Sequence, residues 1–371
     1  MKETSYGPAV FAIGDGTAKH GYLRVQDGRV AAIEDRADSV DYELPSDSVV
    51  TPGLIDLHVN GTASYWFNRE PAEALASMAS EALKHGVTAF LPSIMTGAWD
   101  SMLRAASIIC SRMSVAAPGA RALGVHFEGP FLSAEYRRVH PREYLLTPTP
   151  ARIEALLRAW TAGRCRVTMA PEVEDAPRAA AELHRHGVKL AAGHTAATYA
   201  IGNAAIDAGY QILTHAFNAM PPLHHRTSSI LSAYLLDPAA FCEVIADGVH
   251  VSPEHLALLY RLKGVNLILT TDYMPLISSL VEEGGVARTR DGVIAGSRLN
   301  LNQAVRNLIA ATGISLIEAV ECATWAPARA IGVEDEIGTL MPGLRADFAV
   351  WNRRNEIMQV FVAGERVYVN N

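Results

Sequence analysis

Cysteine is scarce in this chain: four residues in 371, at Cys110, Cys165, Cys242 and Cys322, with no C-x-x-C pair. That excludes a disulfide framework and a zinc knuckle and suits a reducing compartment. Long apolar runs are also missing. No stretch of about 18 uncharged apolar residues occurs, and the first residues, 1–8, do not form a basic leader ahead of an apolar segment. The expectation is a cytoplasmic protein without a membrane contact. Positive charge is not concentrated anywhere: 32 Lys plus Arg stand against 39 Asp plus Glu, a net charge of −7. A phosphate-backbone binder needs a basic face, so nucleic acid is excluded as a partner. What the chain does have is 49% hydrophobic residues and only 19% charged ones, enough to bury a large core.

Both ends read as short strands separated by turns. Ala9 to Ile13, Tyr22 to Val25 and Val30 to Ile33 are broken by Asp15-Gly16 and Asp27-Gly28, which is hairpin chemistry. Gly338 to Leu340, Ala346 to Val350, Met358 to Val362 and Val367 to Val369 repeat the style. Residues 1–50 and 336–371 are therefore expected to share one small β-domain around a central body, 51–335. In that body apolar strands alternate with amphipathic helices, the pattern of a parallel sheet with crossovers. Leu75, Met78, Ala82 and Leu83 share one helical face, as do Ile153, Leu156, Leu157 and Trp160. Ser252-Pro253 reads as a helix start, an N-cap followed by Pro at the first position.

Eight strands are predicted, at 49–58, 87–92, 122–128, 166–171, 189–194, 211–215, 243–250 and 265–272. Eight such units over roughly 250 residues fit an α/β fold of the (β/α)8 TIM-like barrel type. The rival, an open doubly wound sheet, wants a G-x-G-x-x-G after the first strand, and none is there.

Six of the eight predicted strands end on a residue able to bind a metal or move a proton: His58, Glu128, His194, His215, His250 and Asp272. In a barrel those ends meet at one mouth. Any one of them alone reads more readily as a satisfied core or loop side chain, and Asp272 alone as a helix cap. Six at equivalent positions do not. Two His and a carboxylate make a catalytic zinc set with a fourth position for water, whose pKa falls to roughly 7. A separate carboxylate, Asp272 by position, then accepts the proton and delivers it to a leaving group. The expected chemistry is hydrolysis, with one divalent metal, most readily Zn, though Fe, Co or Mn suits the same donors.

Pro52-Gly53-Leu54-Ile55-Asp56-Leu57-His58 and the stretch from Gly338 to Asp347 resemble the amidohydrolase superfamily. Sharper pieces are His126-Phe127-Glu128-Gly129-Pro130, Ala170-Pro171-Glu172, Gly193-His194-Thr195, His215-Ala216-Phe217-Asn218-Ala219-Met220 and Ala246-Asp247-Gly248-Val249-His250. In order and spacing these resemble the N-acetylglucosamine-6-phosphate deacetylase family over most of the chain. The resemblance implies a barrel carrying a small β-sandwich made from both chain ends. It implies a metal on Glu128, His194 and His215, with Asp272 as acid and base and an amino sugar phosphate as substrate. It further implies that Asn218, the backbone at Ala219, and His250 contact that sugar phosphate, and that His140 touches the substrate and polarises its amide carbonyl. Arg226 would reach the phosphate in a neighbouring subunit, so a homodimer is implied. His126, two residues before Glu128 on the same strand face, is expected beside the ligands without being one.

Three departures from that family stand out. His58-Val59-Asn60 replaces the His-x-His of two-metal members, leaving His58 as a ligand of a half-dismantled second site. Pro171-Glu172 stands at the fourth strand's end in place of a bridging lysine. Tyr273 to Ser279 is bulkier than the small residues usual after the acid, which bears on the sugar or acyl pocket. The alternatives are a different N-acylated amino sugar phosphate, a phosphonate-pathway phosphohydrolase, and a catalytically silent barrel that senses a sugar phosphate.

Overall fold

The computed structural model describes residues 3–45, 47–113 and 119–370. Its centre is a barrel of eight parallel strands: Leu54–Val59, Val87–Met95, Gly124–Glu128, Arg164–Met169, Lys189–Ala192, Tyr210–Leu213, Phe241–Ile245 and Leu267–Thr270. They are hydrogen-bonded in sequence order, with helices between them. Such strands are covered on both faces, and all nine residues from Val87 to Met95 are buried. Alternation sorts the two faces. Val125, Phe127, Val167 and Met169 pack outward among the helices, while Ile55, Leu57, Ala89, Leu91, Ala191, Ile212 and Ile268 form a separate apolar floor with Ala326, Ala328, Ile331 and Ile337. Met78 and Leu156 are buried on the two predicted helical faces. Ser252 does precede a helix, Pro253–Lys263, but its hydroxyl meets His255 Nδ1 at 3.0 Å instead of a backbone N–H.

The edges of the strand order are the eighth and first strands. The main chain of residues 322–323 fills the lower seam, where Ile55 N donates to Ala323 O (2.7 Å) and Leu269 N to Cys322 O (2.8 Å). At the top, Asp272 N donates to His58 O at 2.8 Å. Closure of the barrel thus fixes two of the expected site residues against each other.

Both chain ends build one second sheet, in the order Glu365–Val369, Ile357–Val362, Phe348–Trp351, Val49–Pro52, Glu3–Ala12, Ala18–Gln26, Arg29–Glu34, with Tyr42–Glu43 against Glu3–Ala12. Phe348 stacks on Phe361 with centroids 4.4 Å apart, and Tyr6 meets both edge-on. The predicted strand 49–58 is really two. Its first half pairs with Phe348–Trp351 in the terminal sheet and its second half opens the barrel. The break falls at Gly53, where a Cβ would lie 2.1 Å from Thr88 Oγ1. Gly338 to Leu340, read as strand-like, lies outside the strands. Unforeseen is a three-stranded antiparallel sheet, Leu280–Glu283, Val286–Thr289 and Ile294–Ser297, inserted after the eighth barrel strand.

Candidate active site and metal centre

Strand alternation places His126 and Glu128 on the inner face of the third strand. His194 and His215 each sit two residues beyond their strands, with φ of 47° and 33°. Asp272, two beyond the eighth strand, has φ of 46°. These left-handed backbones are costly for non-glycine residues and concentrate where side chains must be aimed. They bring Glu128 Oε1 within 3.1 Å of His194 Nε2 and 3.2 Å of His215 Nε2, and set the two nitrogens 3.1 Å apart. All three residues are buried.

That triangle fits a small cation. Zinc bonds of about 2.0–2.1 Å in a tetrahedron put neighbouring ligand atoms about 3.3 Å apart. His194 Nδ1 faces the Tyr136 carbonyl at 3.0 Å. Donating there fixes the tautomer that turns the Nε2 lone pair inward, the usual support of a metal-ligating imidazole. His58 lies beside the triangle, its Nε2 3.4 Å from both Glu128 Oε2 and Asp272 Oδ1. Two groupings with cation-holding geometry result: Glu128, His194 and His215, and His58, Glu128 and Asp272.

The charges are arranged accordingly. Burial opposes charge on His58, but the carboxylates of Glu128 and Asp272 hold its imidazole well above the usual value. Burial likewise opposes ionisation of Glu128, and the surrounding imidazoles, His58 foremost, hold it well below the carboxylate range. Asp272 is pushed up by burial, with His58 pulling the other way. Asn60 Nδ2 donates to Asp272 Oδ1 at 2.7 Å. Asn60 therefore restrains the acid.

His140 is buried, its Nε2 3.8 Å from Glu128 Oε2 and its ring 4.4 Å from that of His194. Burial and the neighbouring imidazoles push its pKa down to about 3, so it is neutral near pH 7. His126 bonds Ser93 Oγ and Thr168 Oγ1, both at 2.8 Å, and sits edge-on to His58. It stands beside His58, held in place by the two hydroxyls.

The seventh strand stops at Ile245, so His250 does not end it but stands five residues further on, in a loop. Asp247 makes that loop. Its Oδ1 accepts from the N–H of Val249 (2.8 Å) and of His250 (2.7 Å), and its Oδ2 takes His250 Nδ1 at 2.6 Å. Ala219 has φ of 53°, and its carbonyl accepts from Thr195 N at 3.1 Å. Asn218 N bonds His215 O at 2.9 Å. Arg226 is exposed, on a loop closed by a His224 to Thr227 bridge. Glu172 ties the fourth and fifth strand ends together, accepting from Thr195 Oγ1 and Ala196 N at 2.5 Å each.

Beneath the mouth lies a pair that sequence reasoning missed. Arg166 and Glu243, both fully buried, form a two-pronged ion pair, with Arg166 Nη2 to Glu243 Oε2 at 2.6 Å. Arg166 also donates to Thr214 Oγ1 at 2.9 Å, and Glu243 Oε2 faces His58 Nδ1 at 3.9 Å. The two residues are 77 apart in the chain, and only the barrel brings them together.

A parallel barrel whose mouth gathers two imidazoles and a carboxylate around one point, with a second carboxylate alongside, is the arrangement of a barrel hydrolase with a place for a divalent cation. Residues 49–367 match the amidohydrolase family, and the chain belongs to it. It is 34% identical over 357 residues to an N-acetylgalactosamine-6-phosphate deacetylase of Escherichia coli O157:H7, covering 92% of this chain and 93% of that one. It is 30% identical over 373 residues to an N-acetylglucosamine-6-phosphate deacetylase of Caenorhabditis elegans, covering 93% and 89%. Among solved structures, a mutant of N-acetyl-D-glucosamine-6-phosphate deacetylase from Mycobacterium smegmatis, in complex with N-acetyl-D-glucosamine-6-phosphate, superposes with a TM-score of 0.92 at 30% identity over the whole of both chains. No helix among the described residues is long and apolar enough to cross a membrane.

Proposed function

We propose that the chain hydrolyses the acetamide of N-acetylglucosamine 6-phosphate to glucosamine 6-phosphate and acetate, as a cytoplasmic homodimer. The observation that carries this reading is the Glu128, His194, His215 triangle with Asp272 beside it, in a chain similar along its length to amino sugar phosphate deacetylases. Glu128, His194 and His215 would hold one divalent cation, Zn2+ suiting the donors best, and His58 is the spare ligand of a second position. Such an ion lowers the pKa of a water and polarises a carbonyl.

The rest falls to the chain. Asp272, as carboxylate, accepts a proton from the attacking water as the new C–O bond forms. Protonated, it returns that proton to the nitrogen as the C–N bond breaks, so one carboxyl serves both halves of the reaction. Its burial favours this, because the neutral form is not heavily disfavoured there. Neutral His140 donates an N–H to the carbonyl oxygen, where charge develops. His250, with Nδ1 tied to Asp247, offers Nε2 to a sugar hydroxyl, and Asn218 and the Ala219 backbone hold the sugar phosphate. Arg226, exposed on its loop, presents a planar fork suited to phosphate in the neighbouring copy's site.

The test is acetate release from N-acetylglucosamine 6-phosphate and its galacto and manno epimers by zinc-loaded protein. Asp272→Asn should keep fold and metal and lose about 10²–10⁴ in turnover. Near-normal turnover in that variant removes Asp272 from the mechanism.

A further inference from the structure

Resting on that reading, the acyl group is the part of the substrate still without a place. Polar donors suited to a sugar phosphate lie on the loops after the sixth and seventh strands: Asn218, Arg226 and His250. In a ring of eight strands, the second stands opposite the sixth and the third opposite the seventh. An amide held at the metal centre with its sugar toward the sixth and seventh strands therefore turns its acyl chain toward the second and third.

An apolar wall stands on that side. Met95, Met274 and Ala287 form a buried cluster of their own, with Trp66, Val139 and Leu280 packed against it. Three of these residues are tied by the chain or the ladder to site residues. Met95 ends the second strand in register with Glu128, Val139 precedes His140, and Met274 follows Asp272 by two. Ala287 and Leu280 come from the inserted three-stranded sheet, which the barrel itself does not require.

We propose that this wall is the acyl-binding surface and that it restricts the enzyme to a short acyl chain. Its backbone is held from several directions. Met274 N donates to Ser297 O at 3.0 Å, Arg298 Nη1 donates to Met274 O at 2.9 Å, and the Arg298 guanidinium lies 4.5 Å from the centre of the Tyr273 ring. Asn60 N donates to Tyr273 O at 3.0 Å. A wall braced in this way yields little to an added methylene, and one methylene in an apolar pocket is worth about 10–200-fold in selectivity. The bulky Tyr273 to Ser279 segment thus acquires a task, carrying Met274 and leading into the sheet that backs it.

The experiment compares kcat/KM for N-acetyl-, N-propionyl- and N-butyryl-glucosamine 6-phosphate. The wild-type protein should lose about tenfold or more per methylene. Met274→Ala and, independently, Met95→Ala should raise the propionyl-to-acetyl ratio about tenfold, because each removes the thioether arm from the wall. A general loss of structure lowers both substrates together and leaves the ratio alone. Acetyl turnover with a flat wild-type acyl profile overturns the inference while leaving the proposed function standing. So does a variant that melts like wild type and keeps the wild-type ratio within twofold. Absence of turnover on all three compounds fails the substrate reading, and the inference with it.

Discussion

Replacing Arg166 with methionine tests how the floor of the site is held. Arg166 and Glu243 are both fully buried and share two contacts. Burial alone would push the Glu243 carboxyl up, but the guanidinium and the facing His58 hold it well below the carboxylate range. In Arg166→Met that carboxylate loses its main partner. Leaving one member of a buried pair uncompensated costs about 3–5 kcal/mol. Unfolding entropy of about 2.1 cal/mol/K per residue over 371 residues converts this to a fall in Tm of about 4–6 °C. The stranded carboxyl then has a folded pKa above its unfolded one, so stability is lost as pH rises and the deficit shrinks toward acid pH. In the double variant Arg166→Met, Glu243→Leu no charge is left behind, and stability should return to about the wild-type value, since apolar replacement of such pairs is often neutral or better. Denaturant and thermal unfolding of all four proteins, metal-loaded, closes the cycle. If the double variant is destabilised by the sum of the two single ones, the pair is not acting as a unit and the reasoning fails.

Asp247→Asn should raise KM about tenfold with little change in kcat, because it weakens one charge-assisted bond that aligns His250; steady-state kinetics on the sugar phosphate check this, and an unchanged KM would count against a substrate contact by His250. Asn60→Leu removes the amide N–H that restrains Asp272, and should lower kcat about tenfold at an unchanged metal content, read by turnover and elemental analysis. Metal uptake should release a proton, since a cation beside Glu128 repels the proton that Glu128 and Asp272 hold on His58. Affinity should then rise about tenfold per pH unit below the raised His58 pKa, and calorimetry in buffers of differing ionisation heat would show no proton release if the argument is wrong.

The barrel was legible because its strands are short apolar runs, six of which lead into a residue able to bind a metal or move a proton. Alternation alone was enough to put His126 and Glu128 on one face. His250 was misplaced because Val244, Ile245 and Ala246 run on apolar toward Val249, whereas the chain turns at Asp247, whose side chain caps that turn. The split of 49–58 depended on the approach of Thr88 to Gly53, a contact between separate strands. The inserted sheet was missed because Leu280–Glu283, one of its strands, is largely exposed and shows no apolar run. Nothing in residue type announces the left-handed backbones of His194, His215, Ala219 and Asp272, or a bond from His194 to a main-chain carbonyl. The family resemblance implied roles for these residues; the distances came only with the fold.

The sheet shared by the two chain ends has a consequence for biosynthesis. Trp351 Nε1 bonds Thr51 Oγ1 across 300 residues of sequence, and the strand carrying Thr51 lacks its antiparallel neighbour until Phe348–Trp351 has been made. At about 5–20 residues per second, a ribosome takes roughly 15–60 s to cover that interval. Throughout it, an open edge of Val49–Pro52 waits beside a growing barrel. A nascent chain halted before Phe348 would expose that edge to other chains, and emergence of Phe348–Trp351 is the event that shields it.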